Sequence, residues 1–114
     1  MTDAPPRTDW VTICPADVLT PDRGVSALVG DDVVAVFLLT DGSTFAVDDR
    51  DPFTGAQILS RGIVGDASGT PTVASPLYKQ RFDLRSGVCL DDDDVVVRTW
   101  PVRIHDGRVE VARA

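Results

Sequence analysis

The sequence predicts an all-β domain of about ten short strands, folded as an antiparallel β-sandwich or partly open barrel. Three observations predict it. Short segments rich in Val, Ile, Thr and aromatic residues recur along the chain, and none sustains the 3.6-residue apolar period of a helix. Gly-Asp and Asp-Gly steps at Gly30-Asp31, Asp41-Gly42 and Asp106-Gly107 fall between those segments, where hairpins turn. The closing stretch "PVRIHDGRVEVA" reads as a full hairpin. Val102 and Ile104 alternate there with Arg103 and His105, and Val109 and Val111 with Arg108 and Glu110, which gives one buried and one wet face.

The elements follow in order. Trp10 to Cys14, "WVTIC", is β-branched and aromatic, the composition of a strand. "PADVL" then suits a single helical turn with Pro15 at its first position, and "TPDRG" ends it. "VSALV" and "DVVAVFLL" form a hairpin about Gly30 to Asp32, and "TFAV" follows the Thr40 to Ser43 turn. From Asp48 to Thr70 the pattern weakens into a loop-rich insertion, with Ile58-Leu59 and Ile63-Val64 as its two short strands. "TVAS" and "QRFDL" are strands on either side of Pro76 to Lys79. A turn at Asp91 to Asp94 leads into a strand from Val95.

A chain of 114 residues fits one domain, and its 43% hydrophobic and 25% charged residues are ordinary for a globular core. Residues 1–9 read as a flexible lead without a secretory signal, and 10–114 as the domain. The expected location is the cytoplasm. No apolar run approaches the ~20 residues that span a bilayer. A net charge of −7 argues against nucleic acid or an anionic membrane as partner, since both reward clustered Lys and Arg.

Few residues invite chemistry. Asp91 to Asp94 lack the spaced ligands of a calcium loop and read as a solvated turn. His105, the single histidine, sits on the wet face of the last hairpin without an assignable partner. Ser43, Ser60, Ser68 and Ser86 lie in turns without a nucleophile elbow. Cys14 and Cys89 are flanked by apolar residues and read as reduced, buried thiols, although a disulfide stays open. Arg50, Arg61, Lys79, Arg81 and Arg85 flank the irregular middle, either as scattered surface charges or as part of a docking face.

In order, "WVTICPADVL", "FLLTDGSTFAVDDRDPFTGA" and "SPLYKQRFDLRSG" resemble a Rieske-type domain over nearly the whole chain after Trp10. In that family a C-x-H pair and a C-x-x-H pair hold a [2Fe-2S] cluster, with two thiolates on one iron and two imidazoles on the other. The two loops fall within residues 48–85. Here Asp51 and Ser75 stand at the cysteine positions, and Phe53 and Tyr78 at the histidine positions. One histidine in the chain and two cysteines outside both motifs exclude that ligation by inventory. An electron-carrying Rieske ferredoxin is disfavoured for the same reason.

"DDRDPFTGA" and "SPLYKQRFDL" closely resemble the two loops of the small-subunit family of bacterial assimilatory NAD(P)H-dependent nitrite reductases. The resemblance implies a non-catalytic accessory subunit with no metal or cofactor of its own. It implies a large-subunit partner that carries FAD, an iron–sulfur cluster and sirohaem and reduces nitrite to ammonium. A cluster-less Rieske-like adaptor for another redox enzyme is the alternative. Without a cluster, something else must hold the loop tips. Phe53 and Tyr78 are expected to pack as an aromatic plug, against each other or the adjacent sheet, while the Asp51 carboxylate and the Ser75 and Tyr78 hydroxyls accept from nearby backbone N–H groups. A second expectation has the tips dock on the partner through Asp49, Arg50, Lys79 and Arg81 beside those aromatics.

Overall fold

The structure, a computed structural model, describes residues 9–113. It holds ten short strands and two single 3-10 turns among these residues. The strands are β1 (Asp9–Pro15), β2 (Arg23–Val29), β3 (Asp32–Leu38), β4 (Thr44–Asp48), β5 (Ile63–Ala67), β6 (Thr70–Ala74), β7 (Arg81–Asp83), β8 (Thr99–Trp100), β9 (Val102–His105) and β10 (Arg108–Arg113). They form three antiparallel sheets in the orders β1-β10-β9, β2-β3-β4-β8 and β5-β6-β7. The sheets stay open and do not close into a barrel. The flexible lead expected over 1–9 lies, apart from Asp9, outside the described residues. No helix among the described residues is long and apolar enough to cross a membrane.

The β2-β3-β4-β8 sheet is the middle layer, and β3 shows why. Its run "DVVAVFL" is apolar at consecutive positions because successive side chains enter two different cores. Val34 and Val36 join Val29, Ala46, Trp100, Val109 and Val111 on the side of the β1-β10-β9 sheet. Ala35 and Phe37 join Val47, Leu59, Val73, Phe82, Leu84, Cys89 and Val97 on the side of the β5-β6-β7 sheet. The second core lies under the two loops that resemble cluster loops.

Three local expectations are corrected. Ile58-Leu59 is not a strand: Leu59–Arg61 forms a 3-10 turn. The Asp49 carbonyl accepts from the Ile58 and Leu59 N–H groups at 2.9 Å each, and its Oδ1 accepts from Ser60 N–H at 2.7 Å. Those donors converge on one residue and so are lost to any ladder. The strand from Val95 is also shorter than expected. Val96 makes one bridge to Val88, and regular pairing begins only at Thr99. Finally, Ile104 is exposed although Val109 and Val111 are fully buried. It lies on the edge strand β9, beyond the reach of the core that covers the central β10. Elsewhere the expected units hold, including the 3-10 turn after Pro15 and the hairpins at Gly30, Asp41 and Asp106.

Candidate functional site

The loops at 51–56 and 75–80 share one backbone frame. In the first, Asp51 N–H donates to the Ala56 carbonyl (2.8 Å), and Gly55 N–H donates back to the Asp51 carbonyl (2.7 Å). In the second, Ser75 N–H donates to Gln80 (2.9 Å) and Lys79 N–H to Ser75 (2.9 Å). A third loop repeats this pattern, Asp83 N–H to Val88 (2.9 Å) and Gly87 N–H to Asp83 (2.7 Å). The fifth residue of each loop is left-handed: Gly55 at φ 77°, Lys79 at 62° and Gly87 at 82°. The side chain of the first residue supports the turn. Asp51 Oδ1 accepts from Phe53 N–H and Asp83 Oδ1 from Arg85 N–H, both at 2.8 Å, while Ser75 Oγ accepts a longer 3.4 Å contact from Leu77 N–H.

The first residues of the two tip loops also meet. Ser75 Oγ donates to Asp51 Oδ2 at 2.5 Å, and both side chains are buried. Asp51 is therefore a fully buried carboxyl group with a donor on each oxygen, Phe53 N–H on one and the Ser75 hydroxyl on the other. Burial of such a group is tolerable only when it is satisfied in this way. A direct side-chain hydrogen bond thus ties the two loops where two thiolates and an iron would in a ligated domain.

The residues at these positions do not fit a [2Fe-2S] cluster. The Asp51 and Ser75 oxygens are spent on each other, the Phe53 ring has no donor atom, and no imidazole lies on either loop.

The aromatic plug forms in its Phe53 half and is corrected in its Tyr78 half. Phe53 packs, half-exposed, against Phe82, with tilted rings whose centroids are 6.2 Å apart. Tyr78 is 69% exposed and Leu77 55%, so both project outward and leave the core closed beneath them. Asp51 and Ser75 accept the expected backbone N–H bonds, from Phe53 and Leu77, and the Tyr78 hydroxyl makes none among the described residues.

The docking charges divide in two. Arg50 and Lys79 are exposed, and among the described residues neither lies within ion-pair distance of a carboxylate. Arg81 is already engaged. Its guanidinium meets Asp91 Oδ1 at 3.1 Å and its N–H donates to Asp91 Oδ2 at 2.8 Å. That hydrogen bond, with the attraction behind it, holds the Asp91 carboxyl below and the Arg81 guanidinium above their ordinary values. Asp49 is buried and caps the 3-10 turn, so it too leaves the docking set.

Asp91 is thus a paired residue, while Asp92, Asp93 and Asp94 stay solvated. His105 is exposed, 3.7 Å from Asp106 and 3.9 Å from Glu110. Cys14 and Cys89 are free thiols, and burial, then the Asp17 charge, pushes the Cys14 thiol up. A cleft of about 550 Å³ opens at the far end of β4, β5 and β6, between Leu39, Asp41, Phe45, Asp66 and Arg85. It contains neither tip loop.

Two features escaped the sequence: the capping role of Asp49 and the outward Leu77. The spacing of Asp49 from Ser60 across an insertion carries no local signal for the first. For the second, no local pattern in the sequence marks Leu77 as outward.

Residues 9–112 match the family model described as a Rieske-like [2Fe-2S] domain. Over 105 residues the chain is 40% identical to the nitrite reductase (NADH) small subunit of Escherichia coli strain K12, covering 91% of this chain and 97% of that one. It superposes with TM-score 0.91 and 49% identity on the crystal structure of a Mycobacterium tuberculosis chain assigned as an NADH-dependent nitrite reductase small subunit, over 95% of this chain and 97% of that one. Over 106 residues, 93% of its length, it is also 42% identical to part of the nitrite reductase [NAD(P)H] large subunit of Klebsiella oxytoca, of which it spans 11%. With its Rieske-like frame and a likeness running nearly the full length of such subunits, the chain belongs to the family of nitrite reductase (NADH) small subunits.

Proposed function

We propose that this chain is the accessory small subunit of a cytoplasmic assimilatory nitrite reductase, and that it works by binding the large subunit that reduces nitrite to ammonium. It binds no cluster, and the FAD, sirohaem and iron–sulfur chemistry belongs to the partner. The observation that carries the reading is the Klebsiella oxytoca likeness. A segment 42% identical to almost this entire chain is covalently part of a large subunit there. A domain that occurs fused in one protein and separate in another is expected to associate in both.

The surface offered is the pair of joined tips. Phe53, Leu77 and Tyr78 are exposed side chains beside Arg50 and Lys79, cations without an ion-pair partner among the described residues, a mixture of anchors and charged rim that suits an interface. On this reading the contribution comes through binding: the subunit stabilises, activates or couples its partner.

The test is nitrite-dependent NADH oxidation by purified large subunit with and without the chain, together with gel filtration of the mixture. The expected result is co-elution and a higher rate or longer-lived activity. Separate elution with an unchanged rate overturns the reading. A visible absorption band from the freshly isolated chain alone overturns its cluster-free part.

A further inference from the structure

We propose that Lys79 is a dedicated docking cation, held in a left-handed backbone conformation so as to meet an acidic surface on the large subunit. This rests on the reading of the chain as that enzyme's accessory subunit.

Lys79 is the only lysine in the sequence; the other ten basic residues are arginines. It occupies a costly position. An L-residue in the left-handed region brings Cβ against its own backbone, and glycine avoids this. The three loops of identical frame make the comparison internal to the molecule: the equivalent residue is Gly55 in one and Gly87 in another, and Lys79 in the third. The other non-glycine residues at positive φ are Asp22, Ser68 and Asp106, all short and polar. A long aliphatic cation is the exception among them. Strain of this kind persists where the surrounding structure over-determines it, and it collects at binding sites.

The fold makes no use of the charge. Lys79 is exposed and has no carboxylate within ion-pair distance among the described residues. The loop carrying it is nonetheless rigidly closed, by the Ser75 and Lys79 N–H bonds and by the buried Ser75–Asp51 link. The backbone that carries the cation therefore has little ordering left to do on binding, and the cost that remains is that of the Lys79 side chain itself. Leu77 and Tyr78 precede it as outward apolar side chains, and Arg50 stands on the adjoining tip, also unpaired. On a chain of net charge −7, a cationic rim around apolar anchors selects a partner surface of opposite sign, an apolar recess edged by Asp and Glu.

The experiment compares Lys79→Gly, Lys79→Asn and Lys79→Arg with the natural chain. It measures melting temperature, affinity for purified large subunit at low and high salt, and acylation of the Lys79 amine with and without that subunit. Lys79→Gly is expected to raise the melting temperature, since strain is relieved. It is also expected to weaken binding by about three- to tenfold at low salt, an effect that fades at high salt. Lys79→Asn, which tolerates the left-handed region, should bind as weakly, and Lys79→Arg should bind like the natural chain. The large subunit should shield the amine from acylation. Unchanged affinity in Lys79→Gly, or equal acylation in the complex, overturns the proposal. A lower melting temperature for Lys79→Gly overturns its strain premise. A natural chain that forms no complex removes the subunit reading and this inference with it, whereas a complex indifferent to Lys79→Gly removes this inference alone.

Discussion

Serine 75 has one neighbour that matters. Its hydroxyl reaches a buried carboxyl across twenty-four residues of chain and fastens one tip to the other. Ser75→Ala leaves Asp51 Oδ2 buried without a donor, and should cost about 1–3 kcal/mol in urea unfolding. Tyr78→Ala removes a side chain that is 69% exposed, so its stability should stay within about 0.5 kcal/mol of the natural chain. A larger loss for Tyr78→Ala than for Ser75→Ala would restore the aromatic plug and displace the hydrogen-bonded link. Asp91 gives a pH-dependent counterpart. Its folded carboxyl titrates below its unfolded value, first because of the hydrogen bond from Arg81. The stabilisation is therefore complete above the unfolded value of about 3.9 and is lost as pH falls through the lower folded value. Asp91→Asn should flatten that acid limb when melting temperature is followed against pH, and an unchanged limb would count against the pairing. Asp51, Phe53, Ser75 and Tyr78 were legible as letters. Which of them touch was not, because contact across the loops depends on how the sheets beneath are packed.

The elements divide into those with local causes and those without. The hairpins at Gly30, Asp41 and Asp106 follow from turn residues between apolar runs, and each forms as the sequence predicts. The 3-10 turn at Leu59–Arg61 does not, because its cap, Asp49, is supplied from the far side of the first tip loop. That turn also explains Gly24. In the sequence Gly24 is only the end of "TPDRG", but in the fold a Cβ there would strike the Ser60 carbonyl oxygen and the Phe37 ring. Strand β2 can lie against the turn only because position 24 has no side chain. Gly24→Ala should accordingly lower the urea midpoint by the equivalent of about 1–3 kcal/mol with little change in slope. A midpoint equal to that of the natural chain would show that β2 and the turn separate easily.

At the scale of the whole molecule, one sheet serves two cores. Neighbouring residues of β3 and β4 face opposite ways, Ala35 and Val47 into one core, Val34 and Ala46 into the other. The layer carrying the tips is thereby anchored to the layer carrying the terminal strands β1 and β10. The tips rest on two cores joined through one sheet. The frame keeps both tips in place through β4, β6 and β7, and the Ser75–Asp51 hydrogen bond and the closed core beneath hold them together.

The all-β class, most of the strands, the two loops and the residue types at their tips can be read from the sequence by itself. These depend on local pattern and on counting: alternation, turn residues, and one histidine where two are needed. The tertiary structure alone decided that Asp51 and Ser75 join, that Tyr78 turns outward, that Arg81 is spent on Asp91, and that Lys79 sits where its sister loops use glycine. Each of these turns on the distance or backbone angle that packing imposes between segments remote in the chain, and a string of residues does not carry that information in any one stretch.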